Sequence, residues 1–87
     1  MEKTELHLRI ISPSRTEYDG YASMVVLPGS EGDFGVLPYH MPIIASLKIG
    51  KIQIHRNGVM VQEIKITSGV ASVSTTGVDV LLSEHVQ

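Results

Sequence analysis

Cysteine and tryptophan are absent from the 87-residue chain, and phenylalanine occurs only once. Without cysteine the chain cannot form a disulfide scaffold, a thiolate metal site or a thiol nucleophile. No apolar run approaches the roughly 20 residues that a membrane-spanning helix needs. The first residues, Met1–Glu5, carry one lysine and two glutamates and lack the apolar stretch of a signal peptide. We therefore expect a soluble domain of the cytoplasmic type.

A strong charge of either sign is also missing. Seven lysines and arginines stand against nine aspartates and glutamates, which gives a net charge of −2. This balance makes the chain a poor counter-ion for nucleic-acid phosphates or for an anionic membrane surface. We expect no nucleic-acid partner and no direct binding to a membrane.

Residues that branch at Cβ dominate what is present. Valine, isoleucine and threonine supply 24 residues and alanine only three. Branching at Cβ restricts χ1 in a helix but packs well on a pleated sheet. Glycine and proline divide the chain, and in the longest stretch without them, 1–12, Leu6, Leu8 and Ile10 recur with a period of two. This period is typical of a strand, so the sequence predicts an all-β fold.

The turn signals divide the chain into short strands. The predicted strands are 4–12, 21–27, 43–49, 51–57, 59–66, 70–74 and 78–82, with a weaker segment at 35–37. Asn57-Gly58 accepts the positive φ angles of a type I′ hairpin turn. The apolar phase of 59–66 changes at Gln62-Glu63, which predicts a bulge that swaps the inward face. Turns about every ten residues predict one domain over 1–87, a two-sheet β-sandwich or flattened barrel of short antiparallel strands.

The segment 28–42 breaks this pattern and predicts a long irregular loop of the kind that is often functional. Its glycines, Gly29, Gly32 and Gly35, do not have the spacing of a dinucleotide fingerprint. No Lys-Ser/Thr follows them and no helix opens to receive a phosphate, so we expect no nucleotide site. Two readings of the loop stay open: tight turns made rigid by proline, or a docking surface.

The sequence contains no motif for a catalytic site or a metal site. Glu31 and Asp33 lie on an open loop without a partner base, and His40 has no second ligand at metal-binding spacing. No G-x-S-x-G elbow is present. We therefore expect no catalytic residue, no metal and no cofactor.

The stretch from Gly29 to Ile44 resembles the signature of the ATP synthase epsilon subunit. That family has approximately the pattern G-x-x-G-x-x-G-h-L/Y-P-G-H-x-P-h-h, where h is apolar, closed by Lys-x-Gly as in Lys48-Ile49-Gly50. Three further segments match in register: Leu6–Pro13, Tyr18-Asp19-Gly20 and Ser68–Ala71. The resemblance covers residues 4–82, and the chain is identified on it as a member of this family.

The resemblance implies a non-catalytic rotor subunit of a rotary, proton-translocating ATP synthase. A β-sandwich of the central stalk would link the γ subunit to the c ring in the membrane and couple ion translocation to ATP synthesis. It would be peripheral, on the cytoplasmic face of a bacterial inner membrane, reach the membrane only through the complex, and bind no ATP. The residues that match ring-facing positions are Glu31, Asp33 and Phe34. Those that match γ-facing positions are Ser12, His40, Met41 and Ala45, the last where relatives often have threonine.

Two departures from the family pattern stand out. Tyr39 occupies a position that is usually glycine, and its ring either alters the turn or enlarges the contact surface. Most relatives continue into two carboxy-terminal helices, whereas this sequence stops at Gln87. We expect a natural short form without that helical domain, the alternative being a truncated chain.

Two other classes of protein are open to test. A biotinyl or lipoyl carrier domain is also small and all-β, but it needs a lysine at a hairpin tip, and Asn57-Gly58 has none. The second alternative class is a small β-barrel enzyme or binding module with an unseen ligand. Mass spectrometry for a lysine adduct tests the carrier, and co-purification with ATP synthase catalytic subunits separates the epsilon reading from both.

Overall fold

A computed structural model describes residues 5–84 as nine β-strands, and no helix occurs among them. The strands are β1 Leu6–Ile11, β2 Thr16–Ala22, β3 Met24–Gly29, β4 Gly32–Val36, β5 Ile43–Leu47, β6 Gly50–Arg56, β7 Val59–Ile66, β8 Gly69–Val73 and β9 Gly77–Leu82. The predicted start of the first strand at residue 4 lies outside the described residues. The five predictions from 43–49 to 78–82 agree with β5 to β9 within two residues at each end.

The strands form one curled path in the order β2-β1-β9-β8-β5-β3-β6-β7, with β4 paired to β3. Between β5 and β3 the ladder narrows to a single pair, Gly29 with Leu47, so the path divides there into two halves. This confirms the all-β sandwich. One pairing departs from the predicted antiparallel pattern, because β1 and β9 run parallel.

The core lies between the two halves and takes the inward face of every strand. Leu6, Leu8 and Ile10 are almost completely buried, as their period of two predicts, and Ile52 and Ile54 alternate in the same way on β6. The other apolar core residues are Ala22, Val25, Leu27, Val36, Leu47, Ile64, Ile66, Ala71, Val73, Val78, Val80 and Leu82. Full burial of such a side chain contributes about 1.5–3 kcal/mol, so this shared core holds the halves together.

The predicted strand 21–27 is wrong in its bounds, because two strands meet there. β2 ends at Ala22 and β3 begins at Met24. Most of β2 is polar and part-exposed, since it lies at the edge of the path and pairs only with β1 among the described strands. A strand with so few inward apolar side chains has no clear alternation in its sequence.

The predicted irregular loop over 28–42 is also wrong in its first half. Gly29 pairs with Gly32 and Val25 with Val36, so β3 and β4 form a hairpin with Ser30 and Glu31 at its turn. The weak segment at 35–37 is the end of β4. Only residues 37–42 connect β4 to β5 without strand structure.

The β6–β7 hairpin has the predicted turn at Asn57-Gly58, but its bulge lies at Val61 and not at the predicted Gln62-Glu63. Asn57 and Gly58 have φ angles of 53° and 79°, as a type I′ turn requires. The register shifts because Ile54 pairs with Gln62 whereas His55 pairs with Met60, which leaves Val61 as the extra residue. The predicted swap of the inward face is wrong, because residues 59–63 are all exposed.

Candidate interaction surface

The β3–β4 hairpin holds the residues that were predicted to face the c ring. Glu31 and Asp33 are exposed, and neither forms an ion pair within residues 5–84. Phe34 is half-buried and packs against the core. A Cβ placed on Gly29 would lie 2.8 Å from the Gly32 carbonyl oxygen and from Phe34 Cε1. Glycine is therefore required at 29, because any side chain would push the Phe34 ring and the turn apart.

Ala45 lies beside this turn. A shallow depression of about 270 Å³ is lined by both the hairpin turn and β5, including Glu31, Phe34, Ile44 and Ala45. The Ser30 amide donates a hydrogen bond to the Ser46 carbonyl at 2.9 Å, which fixes the turn against β5. Ala45, which was predicted to face γ, thus lies next to Glu31 and Phe34, which were predicted to face the ring.

His40 and Met41 lie in the connection before β5. The His40 Nδ1–H donates to the Met41 carbonyl at 2.7 Å, and Met41 is 74% exposed. The neighbouring Tyr39 amide donates to the Thr75 carbonyl at 3.1 Å, which ties the connection to the β8–β9 turn. Tyr39 has a φ of 67°, a left-handed backbone that L side chains rarely adopt.

Ser12 lies apart from the other predicted γ-facing residues. It follows β1 at the end of the sheet where Leu82 pairs with Gly69 and Gly69 with Leu47, whereas His40 lies at the opposite end of β5. Ser12 is 3% exposed, and both its amide and its hydroxyl donate to the Arg15 carbonyl. Its side chain shapes the β1–β2 turn from inside.

An exposed apolar face on β5, β8 and β9 was not predicted. Ile44 is 78% exposed, and Val70 and Leu81 are about half-exposed. Val70 pairs with Leu81 and with Ser46, two residues from Ile44, so these side chains share the outer face of three adjacent strands. We call Ile44, Val70 and Leu81 the apolar face. Sequence alternation shows that these positions point outwards, but only the strand order brings them together.

A second feature that the sequence did not reveal is a shallow cleft of about 560 Å³ beside the β8–β9 turn. Tyr21, Tyr39 and His7 contribute rings to its lining. The His7 Nε2–H donates to Asp19 Oδ1 at 2.7 Å, and the His7 and Tyr21 rings lie 5.3 Å apart. The residues come from three separate segments, so only the register of β1 with β2 and the Tyr39 turn could show their proximity.

The described part of the chain holds neither a cluster of the usual metal ligands nor a membrane-spanning helix. Among residues 5–84, no three histidine, cysteine, aspartate or glutamate side chains are grouped as metal ligands would be. Within the same residues no helix is long and apolar enough to cross a membrane.

The family model for the ATP synthase delta/epsilon chain β-sandwich domain matches residues 5–87. The chain belongs to this family. It is 49% identical to the ATP synthase epsilon chain of Campylobacter lari over 76 residues, which cover 87% of this chain and 58% of that one. It is 37% identical to the epsilon chain of Caulobacter vibrioides over 81 residues, which cover 93% of this chain and 92% of that one.

A solved structure shows the same fold. The structure of the Euglena gracilis mitochondrial ATP synthase, with OSCP, F1 and the c-ring in rotational state 1, contains a chain that superposes with a TM-score of 0.81. The match covers 97% of this chain and 54% of that one, at 20% identity, so it concerns the fold alone. The 87-residue chain itself spans about three-fifths of the length of several curated epsilon chains that it matches.

Proposed function

We propose that this chain is a non-catalytic part of the central stalk of a bacterial rotary ATP synthase, where it links the γ subunit to the c ring. The observation that carries the proposal is the match of residues 5–87 to the β-sandwich domain of epsilon chains. In this role the domain couples ion translocation to ATP synthesis by transmitting torque. It is peripheral, on the cytoplasmic face of the inner membrane, and reaches the membrane only through the complex.

The two partners differ in chemistry, and so do two parts of the surface. The β3–β4 turn presents Glu31 and Asp33, two exposed carboxylates that suit the polar loops of the c ring. The apolar face on β5, β8 and β9 brings three exposed apolar side chains onto one outer surface, and exposed apolar patches are typical of protein–protein contacts. We assign the carboxylate turn, with Phe34 behind it, to the ring.

The apolar face is assigned to γ, together with Met41 at the start of β5. His40 and Ala45 border this contact, and Ser12 supports it through the β1–β2 turn. Stiffness favours torque transfer, and the shared core makes the two halves one unit.

Co-purification tests the proposal directly. A tagged chain produced with the other ATP synthase subunits of the same organism is expected to recover γ and the catalytic subunits. A variant with Ile44→Asp and Leu81→Asp places two charges on the apolar face without touching the core, and we expect it to lose γ while it melts like the parent. Failure of the parent chain to recover γ would overturn the proposal. Retention of γ by the double variant would show instead that another face is used.

A further inference from the structure

Three side chains form a row across β3, β6 and β7 on the face turned away from the core. Met24 pairs with His55 in the β3–β6 ladder, and His55 pairs with Met60 in the β6–β7 ladder. Residues directly opposite in antiparallel strands share a face, with Cβ atoms about 4.5–5.5 Å apart. The sequence neighbours Val25 and Ile54 are completely buried on the core side, so the row lies outside.

The imidazole in the middle of this row is incompletely satisfied. The Nε2 atom of His55 is buried and has no hydrogen-bond partner among residues 5–84. A buried polar atom without a partner carries a desolvation cost and calls for an explanation. The cross-strand neighbours on its two sides are thioethers, which accept hydrogen bonds only weakly. A ligand for this nitrogen would remove the anomaly.

The β-bulge is what places the second thioether beside the ring. In an unbroken ladder His55 would pair with Val61, since Ile54 pairs with Gln62. The extra residue moves Met60 opposite His55. Bulges commonly re-aim a side chain in this way.

The Met24 sulfur also lies close to β4, since it is 3.6 Å from where a Cβ on Gly35 would be, which is an ordinary contact distance.

We propose that Met24, His55 and Met60 bind one soft monovalent cation, Cu(I). Thioether sulfur is a soft ligand that selects Cu(I), and imidazole suits copper as well. The row contains no carboxylate, and Glu63, which pairs with Gln53 in the same β6–β7 ladder, is engaged by Gln53 at 3.3 Å and by Lys51 at 3.8 Å. Hard cations such as Mg²⁺ and Ca²⁺ need oxygen ligands and are disfavoured here. Met60 is 46% exposed, so an ion can enter from solvent without unfolding the sheet.

Silver(I) tests this site without redox chemistry. The probe is silver nitrate in chloride-free buffer, added to the chain labelled with [13C]methyl-methionine. We expect the Met24 and Met60 methyl resonances and the His55 ring resonances to shift and saturate at one equivalent. The melting temperature is expected to rise, because an ion that binds only the folded state stabilises it.

A volume-conserving variant separates the site from general silver affinity. Met24→Leu with Met60→Leu keeps the packing volume, so it is expected to fold and to lose both the one-equivalent saturation and the rise in melting temperature. The matched control, Met41→Leu with His40→Gln, changes the same residue types in the connection before β5 and is expected to keep both. His55→Gln is a second probe of the site and is expected to abolish the rise.

Four results would overturn the proposal. They are an absence of saturable binding by the parent chain, unchanged binding by the Met24/Met60 double variant, loss of binding in the control variant, or a larger rise in melting temperature with Zn²⁺ than with silver. Competition for Cu(I) against a chromophoric chelator, without oxygen, then extends the result to copper. The double variant is expected to compete at least tenfold less well than the parent.

Discussion

Tyr39 holds a backbone conformation that favours glycine. Its φ of 67° lies in the left-handed region, where any residue other than glycine has a conformational free energy about 1–2 kcal/mol less favourable. The turn survives because the Tyr39 amide bonds to Thr75 and because Pro38 and Pro42 restrict the chain on either side. The family glycine at this position therefore has a physical reason, and the tyrosine keeps the same turn while it adds a 62%-exposed residue to the cleft beside the β8–β9 turn.

Tyr39→Gly is expected to stabilise the domain modestly. Relief of the left-handed strain favours the variant, whereas the greater freedom of glycine in the unfolded chain opposes it by about 0.4–1 kcal/mol. The net gain is about 0.5 kcal/mol, which corresponds to a rise of a few degrees in melting temperature for a domain of this size. Urea and thermal unfolding measure it.

Two further variants at Tyr39 serve as controls. Tyr39→Phe keeps the ring and the strain and is expected to change stability by less than about 0.5 kcal/mol. Tyr39→Val places a β-branched residue at positive φ and is expected to destabilise the domain. A loss of more than about 1 kcal/mol in Tyr39→Gly would mean that contacts of the ring outweigh the strain.

At the scale of elements, the sequence predicted strands well where alternation and burial coincide. β1 and β6 carry clean alternation because one face of each meets the core and the other meets solvent. β2 was missed because it lies at the edge and buries only its last residue fully. Only the end of β4 was predicted, as the weak segment at 35–37, because Gly32 and Gly35 make the rest of its sequence resemble a turn, although its backbone pairs with β3 from Val25 to Gly29.

Gly29→Ala is expected to destabilise the β3–β4 hairpin. The new Cβ would lie 2.8 Å from the Gly32 carbonyl oxygen, and backbone cannot move away as a flexible side chain can. Overpacking of this kind typically costs about 1–3 kcal/mol. Thermal unfolding measures the loss, and hydrogen exchange of the β3 and β4 amides locates it.

Gly35→Ala is the matched control for this prediction. Among residues 5–84 its Cβ would meet only the Met24 sulfur, at 3.6 Å, which is an ordinary contact distance. We expect its stability to stay within about 0.5 kcal/mol of the parent. Equal effects of the two substitutions would show that close approach at Gly29 is not the cause.

The carboxylates of the β3–β4 turn allow a test of docking to the c ring. Glu31→Lys with Asp33→Lys reverses two exposed charges, which usually changes fold stability by less than about 0.5 kcal/mol. If the turn faces the ring's polar loops, reversed charges meet an unsuitable partner and docking weakens. We expect normal melting of the domain and reduced ATP-driven ion pumping by the reconstituted enzyme.

The neutral variant Glu31→Gln with Asp33→Asn separates loss of charge from its reversal and is expected to give an intermediate effect on pumping. Unchanged pumping by the double lysine variant would remove this turn from the ring contact.

The family resemblance predicts partner-facing residues position by position, and the fold of the whole molecule shows where on its surface these residues lie. Ala45 lies beside Glu31, whereas Ser12 and His40 lie at opposite ends of one half of the sandwich. Neither the proximity of Ala45 to Glu31 nor the separation of Ser12 from His40 can be read from the sequence. Both depend on the strand order and on the single residue pair that joins β5 to β3. The apolar face has the same origin, since Ile44, Val70 and Leu81 belong to three strands.

We expect that the 87-residue chain does not bind ATP. The glycines that could suggest a phosphate loop form the β3–β4 hairpin, and no helix amino terminus lies behind them within residues 5–84. Glu31 and Asp33 lie at the same turn and would repel a polyphosphate. At 1 mM ATP, with tripolyphosphate at equal ionic strength as the control, the melting temperature is expected to stay unchanged. A stability change below about 0.1 kcal/mol then places Kd above roughly 5 mM. A rise specific to ATP would reveal a nucleotide site elsewhere on the domain, and shifts of amide resonances on titration would locate it.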